Sequence, residues 1–414
     1  MWRKLVDDLV KIFNEDAFIN LVIKERVESL KEEDKKLYTK ILYGVVENKK
    51  WLDYLLKPYT TGKRFKPIYK NTLRVGVYAI SYLNVADHHI VNSLVEMIKK
   101  KDFKGSKAIN SILRNYIKDN RFEKASEEIN KLDTIQKETI IYNIEEDILK
   151  LIKTDYTNDY HDILKNETEY FNNYRINYLL TSDDEVINYL ESNNIEYNKN
   201  DEQIITKANL IQTDIFNKGY IILQDASSCK VAKVVDPLPG SDVLDSCAAP
   251  GSKSFHMATI MKNTGSITSC DIYPHKVKLI EDEANRLGIN IIKAKVADAC
   301  NQNYNLLYDY VLCDVPCSGM GTMKHKPDVK LRLTCDKVNE IVNLQKDIIN
   351  NVSKYVKVGG VLVYSTCTIN KNENERQIES FLNIHKNYEK IYEESILPSS
   401  INDGFYICKL IRKE

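Results

Sequence analysis

The chain has no Cys-x-x-Cys pair, no apolar run long enough to cross a membrane, no net charge, and only 2 tryptophans in 414 residues. Each absence removes a class of protein. Its 9 cysteines all lie between Cys229 and Cys408, without the spacing of a zinc site, so no metal is expected and the thiols should be free, as in a reducing compartment. The start, Met1-Trp2-Arg3-Lys4-Leu5-Val6-Asp7-Asp8, puts acids where a secretory signal needs an apolar run. With no membrane-length segment later, the expectation is a cytoplasmic protein with no membrane partner. A G-x-G-x-x-G motif is also missing, which makes a dinucleotide the weaker cofactor expectation. The 26 tyrosines accompany a general richness in Asn, Lys and Ile and are not read as stacking platforms.

Charge is balanced overall, 59 basic against 59 acidic residues, but unevenly placed. From Lys57 to Lys124 there are 15 Lys and Arg against 5 Asp and Glu; from Ala125 to Ile215 there are 8 against 20. A polyanion-facing module beside an acidic, solvating one fits this asymmetry. In the basic part, Lys63, Arg64, Lys66, Lys70 and Arg74, with Lys99, Lys100, Lys101, Lys104, Lys107 and Arg114, are candidates to neutralise phosphates.

Residues 1 to about 125 show helical periodicity, as in Leu37, Ile41, Leu42 and Val45, and predict a helical bundle. The acidic stretch then holds a short strand at Asn173 to Tyr178 and a helix capped at Ser182 and running to Leu190. From Asp236 onward strand and helix patterns alternate, which predicts a mostly parallel sheet covered by helices. Its strands are read as Val243-Leu244, Gly265 to Ile272, Ile289 to Val296, Tyr308 to Val315, Val361 to Thr366 and Phe405 to Ile411.

Chemistry-bearing residues fall at the carboxyl ends of these strands, where open α/β sheets bind ligands. The first strand leads into Cys247-Ala248-Ala249-Pro250-Gly251-Ser252-Lys253, whose small residues allow close backbone approach at a helix N-terminus. Asp271 ends the second strand where a carboxylate would hold ribose hydroxyls, and Asp298 follows the third near an adenine edge. Asp314-Val315-Pro316-Cys317 ends the fourth, and Ser365-Thr366-Cys367 the fifth. This set fits a nucleoside cofactor and one pocket holding two thiols and an acid. Lys324, Lys326, Lys330 and Arg332, just beyond Cys317, are candidates to grip phosphates.

These motifs, in their order and spacing, resemble those of the S-adenosylmethionine-dependent RNA cytosine-5 methyltransferases. The segments Leu42-Tyr43-Gly44-Val45-Val46, Leu73 to Tyr78 and Ile109 to Arg114 resemble the RNA-binding domain of the NusB antitermination factor. The two together are similar to the Sun/Fmu family of bacterial 16S ribosomal RNA enzymes, and Arg175-Ile176-Asn177 and Leu223-Gln224-Asp225 match linker motifs of that family. Ser252 and Ser254 stand where the family usually carries Gly and Thr, and Lys276 where Arg is common.

The resemblance implies a multidomain fold: an all-α NusB-like bundle over 1–125, a small α+β linker module over 126–217, and an α/β Rossmann-like methyltransferase domain over 218–414. It implies S-adenosylmethionine bound by Cys247 to Lys253, Asp271, Lys276, Asp298 and Asp314, and ribosomal RNA, unassembled 16S, bound by a monomer. Carbon 5 of cytosine is a poor nucleophile, and a thiolate adding at carbon 6 activates it while an acid attends N3. The resemblance assigns Cys367 as that nucleophile, Cys317 to release, and Asp314 as the acid. A catalytically silent RNA-binding assembly factor on the same folds is the alternative of another class, and a DNA cytosine-5 methyltransferase the alternative enzyme.

Overall fold

The computed structural model describes residues 1–165 and 171–414. Two compact units result, one of Met1–Thr154 with Lys326–Thr334 and one of Asp155–His325 with Cys335–Glu414.

The first unit is helical. At its centre is Pro67–Tyr82, in which every residue from Asn71 to Ala79 is buried, as in a helix packed on all sides. Helices Trp2–Asn14, Glu32–Glu47, Lys49–Thr60 and Phe103–Lys118 surround it. Two glycines permit the close packing. A Cβ on Gly44 would lie 2.0 Å from the Tyr78 hydroxyl, and one on Gly76 would lie 2.8 Å from Leu113.

Polar residues within the central helix are paired. Arg74, a phosphate candidate on sequence, gives hydrogen bonds of 2.7 Å to both Asp53 oxygens and to Asn71. It is 4% exposed, so its charge is committed inside the bundle and the phosphate reading is corrected. The remaining cations of that set, from Lys63 to Arg114, are exposed.

The bundle does not stop near residue 125. Helices Arg121–Glu128 and Thr134–Ile141 pack on Lys49–Thr60. Asn143 then closes the junction, accepting from the Lys50 N–H at 2.9 Å and donating to the Val46 carbonyl at 2.8 Å. The change of charge sign that suggested the earlier boundary reports solvent-facing side chains, which need not follow the packing. Lys326–Thr334 also joins this unit, although the sequence placed it in the catalytic domain. Asp328 accepts from the Ile19 N–H at 3.5 Å, and Arg332 donates to the carbonyls of Asp16, at 2.7 Å, and Ala17.

The second unit contains two sheets. Strands β1 (Asn172–Ile176), β2 (Asn198–Asn200), β3 (Gln203–Thr206) and β4 (Ile221–Leu223) form an antiparallel sheet in the order β2-β3-β1-β4. Helix Asp183–Ser192 accompanies it, capped by the Ser182 side chain. The larger sheet holds β5 (Asp242–Asp245), β6 (Ser266–Asp271), β7 (Ile292–Val296), β8 (Tyr308–Asp314), β9 (Val356–Thr366), β10 (Tyr388–Ile396) and β11 (Phe405–Arg412). Their order is β10-β11-β9-β8-β5-β6-β7. Pairing is parallel from β9 through β7 and antiparallel where β11 meets β9 and β10. Sequence reasoning missed the short strands β2, β3 and β4 of the smaller sheet and, in the larger one, β10, a polar edge strand whose glutamates interrupt the apolar signal. Successive strands are laid down on opposite sides of β5, so the crevice outside its carboxyl end is the topological switch point.

Candidate active site

The register of β8 and β9 pairs Asp314 with Ser365, and the Ser365 hydroxyl donates to Asp314 Oδ1 at 2.7 Å. Both chains then turn out of the sheet, carrying Cys317 and Cys367 until their sulfurs are 3.3 Å apart. Gly321 secures the turn behind them. Its N–H donates to the Cys367 carbonyl at 3.1 Å and its carbonyl accepts from the Gly404 N–H at 2.9 Å. A Cβ there would sit 2.0 Å from the Gly404 oxygen, so the position requires glycine for close approach.

Lys253 completes this corner. Its ammonium lies 2.8 Å from Asp314 Oδ2. Burial works against that charge, but Asp314 and then Cys367 more than offset it and hold the lysine pKa above its usual value. The sequence placed Lys253 in the cofactor loop, whereas the structure places it against the acid of the thiol pair. For Cys317, the hydrogen bond to Cys367, burial, and the Cys367 and Glu373 charges all push the thiol well above the usual range.

The cofactor loop occupies the switch point. Gly251 takes the left-handed conformation, φ +109°, that begins helix Ser252–Ile260, and a Cβ there would lie 2.3 Å from the Phe255 ring. Ser252 is the first helical residue and does not need a positive φ. The Ser254 hydroxyl donates to Asp245 Oδ2 at 2.7 Å and lies 2.8 Å from the Ser269 hydroxyl, a role that threonine would share. Asp245 Oδ1 is buried without a partner, and burial pushes this carboxyl up to about 7.

Asp271 ends β6 with Oδ1 accepting from the Tyr273 N–H at 3.0 Å and Oδ2 lying 3.7 Å from Lys276 Nζ. Asp298 accepts from the Cys300 N–H at 3.0 Å and from the Asn301 amide at 3.1 Å. Carboxylates with acceptor capacity to spare, beside a loop without bulky side chains and an orphaned buried acceptor, fit the hydroxyls and ammonium of S-adenosylmethionine.

The proposed phosphate cations divide. Lys326 is exposed, while Lys324 and Lys330 are buried and Arg332 is held by the Asp16 and Ala17 carbonyls and by Asp328 at 3.3 Å. Two residues without an assigned role on sequence, Glu373 and Gln345, join the turn around Cys317. The one hint of Glu373 was the polar run from Asn370 to Glu375 after a strand end; Gln345, within helix Cys335–Val352, had none.

Among the described residues, one cluster offers metal-ligand atoms together: Glu202, Cys229 and His256, within 4.8 Å of one another. Lys233 already lies 3.0 Å from Glu202, and burial, then the Arg175 charge, lowers His256 to about 4. Burial also raises the Cys229 thiol to about 12. A protonated thiol facing two cations is a poor set for a dication, and the cluster reads as ion-paired core.

Residues 232–411 match the model of the 16S rRNA methyltransferase RsmB/F family, and residues 4–118 match that of the NusB family. The chain is 32% identical to a Bacillus subtilis (strain 168) protein named "Probable ribosomal RNA small subunit methyltransferase B", over 99% of this chain and 98% of the relative. A Synechocystis sp. protein of the same name is 31% identical, over 90% of this chain and 86% of its own. The crystal structure of PH0851 superposes with a TM-score of 0.85 at 25% identity, covering 99% of this chain and 98% of that one. Identity above 30% along nearly the full length shows the family, and this chain therefore belongs to the RsmB/F methyltransferases, S-adenosylmethionine-dependent enzymes that act on ribosomal RNA.

Proposed function

We propose that the enzyme methylates carbon 5 of a cytosine in 16S ribosomal RNA through a covalent bond between Cys367 and carbon 6. The observation that carries this reading is the thiol pair at 3.3 Å beside the Lys253–Asp314 ion pair at 2.8 Å. One thiol and one acid suffice for base activation, and a second thiol touching the first has a use when the adduct must be undone.

Cys367 adds as thiolate at carbon 6, with the Lys253 ammonium favouring its anion. Asp314, oriented by Ser365, faces N3, and a proton passed to it from Lys253 lets it donate there as charge builds. The bound cofactor supplies an electrophilic methyl group, which carbon 5, now enamine-like, takes. Loss of the carbon 5 proton to solvent base re-forms the C5–C6 double bond and sends the electron pair of the C6–S bond back to Cys367, whose sulfur accepts a hydrogen bond from the neutral Cys317 thiol, while the proton on N3 returns through Asp314 to Lys253. The base must leave its stack to expose carbon 6.

The exposed cations of the helical unit and Lys326 suit a phosphate backbone. We place the reaction in the cytoplasm, on 16S RNA before assembly, with the enzyme as a monomer. Transfer of labelled methyl to unmodified 16S RNA, with the product nucleoside identified by mass spectrometry, tests the reading. Label in 5-methylcytidine is expected, and greater transfer to naked RNA than to assembled subunits. Label in any other nucleoside, or RNA binding without transfer, overturns it.

A further inference from the structure

Glu373 has no exposed surface, yet its carboxylate has only neutral donors. Oε2 accepts from the Ser318 N–H at 2.8 Å and from the Gln345 amide at 3.0 Å, and Oε1 accepts from the Asn370 amide at 2.8 Å. No Lys, Arg or His pairs with it among the described residues. Three hydrogen bonds thus satisfy a fully buried carboxylate in place of a cation.

The partners of this acid lie on both sides of Cys317. Ser318 follows the thiol, and Gln345, which bonds Glu373, also donates to the carbonyl of Pro316 before it at 2.9 Å. Asn374, the next residue, does the same for Cys367. It accepts from the Thr366 hydroxyl at 2.6 Å and donates to the Thr368 carbonyl at 2.9 Å. Two consecutive residues thus clasp the flanks of the two thiols, but only one of them carries a charge.

We infer that Glu373 is a positioning residue that differentiates the thiols, holding the Cys317 loop in place and keeping Cys317 as the neutral thiol while Cys367 supplies the thiolate. The roles of the thiols, with Cys367 as the thiolate, rest on the proposed mechanism; the clasp of the Cys317 loop by Glu373 rests on its hydrogen bonds to Ser318 and Gln345. The charged and titratable groups facing Cys317 are Cys367 at the end of β9, Glu373 in the turn after it, and the Tyr364 hydroxyl, which is engaged with the Glu373 carbonyl at 2.7 Å. The ammonium at this corner, Lys253, acts from the Cys367 side and is paired with Asp314. A cation beside one sulfur and an anion beside the other give opposite biases to a pair in contact.

This order protects both halves of the reaction. A Cys317 thiolate would compete for carbon 6, whereas its S–H can donate to the departing Cys367 sulfur as the C6–S bond breaks and the electron pair goes to that sulfur. Nothing is oxidised or reduced.

Per-thiol alkylation of the RNA-free enzyme by iodoacetamide, followed against pH by peptide mass spectrometry, tests the inference without use of activity. In the native protein the Cys367 midpoint is expected below that of Cys317. Glu373→Gln should speed Cys317 alkylation at pH 8 by about tenfold, the effect of removing one nearby charge. Glu373→Asp, which keeps the charge, should leave the Cys317 midpoint near the native one. Cofactor binding by calorimetry verifies that the variants are folded. A Cys317 midpoint below that of Cys367 in the native enzyme, or an unchanged Cys317 midpoint in a folded Glu373→Gln variant, overturns the inference. Either result concerns thiol ionisation alone, so failure of the carbon 5 chemistry would be seen separately in the methyl-transfer product.

Discussion

Lys253 Nζ lies 2.8 Å from Asp314 Oδ2, with 11% of the lysine side chain exposed. The first turn of helix Ser252–Ile260 therefore has two duties. Its backbone leads out of the cofactor loop, while its second residue reaches across to the end of β8. Lys253→Met should lower the rate of methyl transfer at saturating cofactor by about a hundredfold, the scale of losing one charge stabiliser. Calorimetric affinity for S-adenosylmethionine should change much less. Lost affinity with an undiminished saturating rate would return Lys253 to the cofactor loop's binding duties.

Asp271, at the end of β6 with one oxygen 3.7 Å from Lys276, is proposed to hold the cofactor ribose. Asp271→Ala should weaken cofactor binding by about 1.5–3 kcal/mol, the usual worth of a hydrogen bond to a charged group. Calorimetry measures this, and an unchanged affinity would remove Asp271 from the site.

In the helical unit, Lys99, Lys100 and Lys101 are exposed whereas Arg74 is buried against Asp53. Replacing the three lysines with alanine should reduce the slope of log affinity against log salt by about 2 for 16S RNA. Arg74→Ala should instead lower thermal stability, because it leaves a carboxylate and an amide without their partner. An unchanged salt slope in the triple variant would mean these lysines form a solvated face and nothing more. Truncation at residue 125 is a poor substitute for this test, since residues as far as Thr154 and the segment Lys326–Thr334 belong to the same compact unit.

His256 is 1% exposed, and burial followed by the Arg175 charge lowers it from 6.5 to about 4. Above pH 6.5 it is neutral whether folded or unfolded and adds no pH dependence. Below that, the unfolded chain takes up a proton that the folded one refuses until about pH 4, so stability falls as pH falls through this window. The full loss is on the order of 3 kcal/mol. Urea unfolding at pH 7 and pH 5 should show a smaller difference for His256→Gln than for the native protein, and equal differences would contradict the assignment.

What was legible in the sequence follows a physical line. Asp271, Asp314 and Cys367 end buried parallel strands or lie one residue beyond, and such strands announce themselves as apolar runs closed by small or turn-forming residues. Strand Tyr388–Ile396, at the sheet edge and largely exposed, has no such run. The pairing of Lys253 with Asp314 depends on where a helix turn points once the sheet is built, which periodicity does not encode. Arg74 looked like its exposed neighbours because its partner Asp53 lies on another helix. Glu373 stands among asparagines as an ordinary polar residue, and only the fold brings Ser318 and Gln345 to it.

The central claim is that Cys367, and not Cys317, forms the bond to cytosine, with the two sulfurs 3.3 Å apart. Cys317→Ser and Cys367→Ser should each be incubated with 16S RNA and S-adenosylmethionine and run on a denaturing gel. Cys317→Ser, able to add but slow to release, is predicted to accumulate a protein–RNA band, and Cys367→Ser to give neither band nor product. A band trapped in Cys367→Ser and absent from Cys317→Ser would contradict the account and give the nucleophile's role to the thiol after Pro316, as in a DNA cytosine-5 methyltransferase.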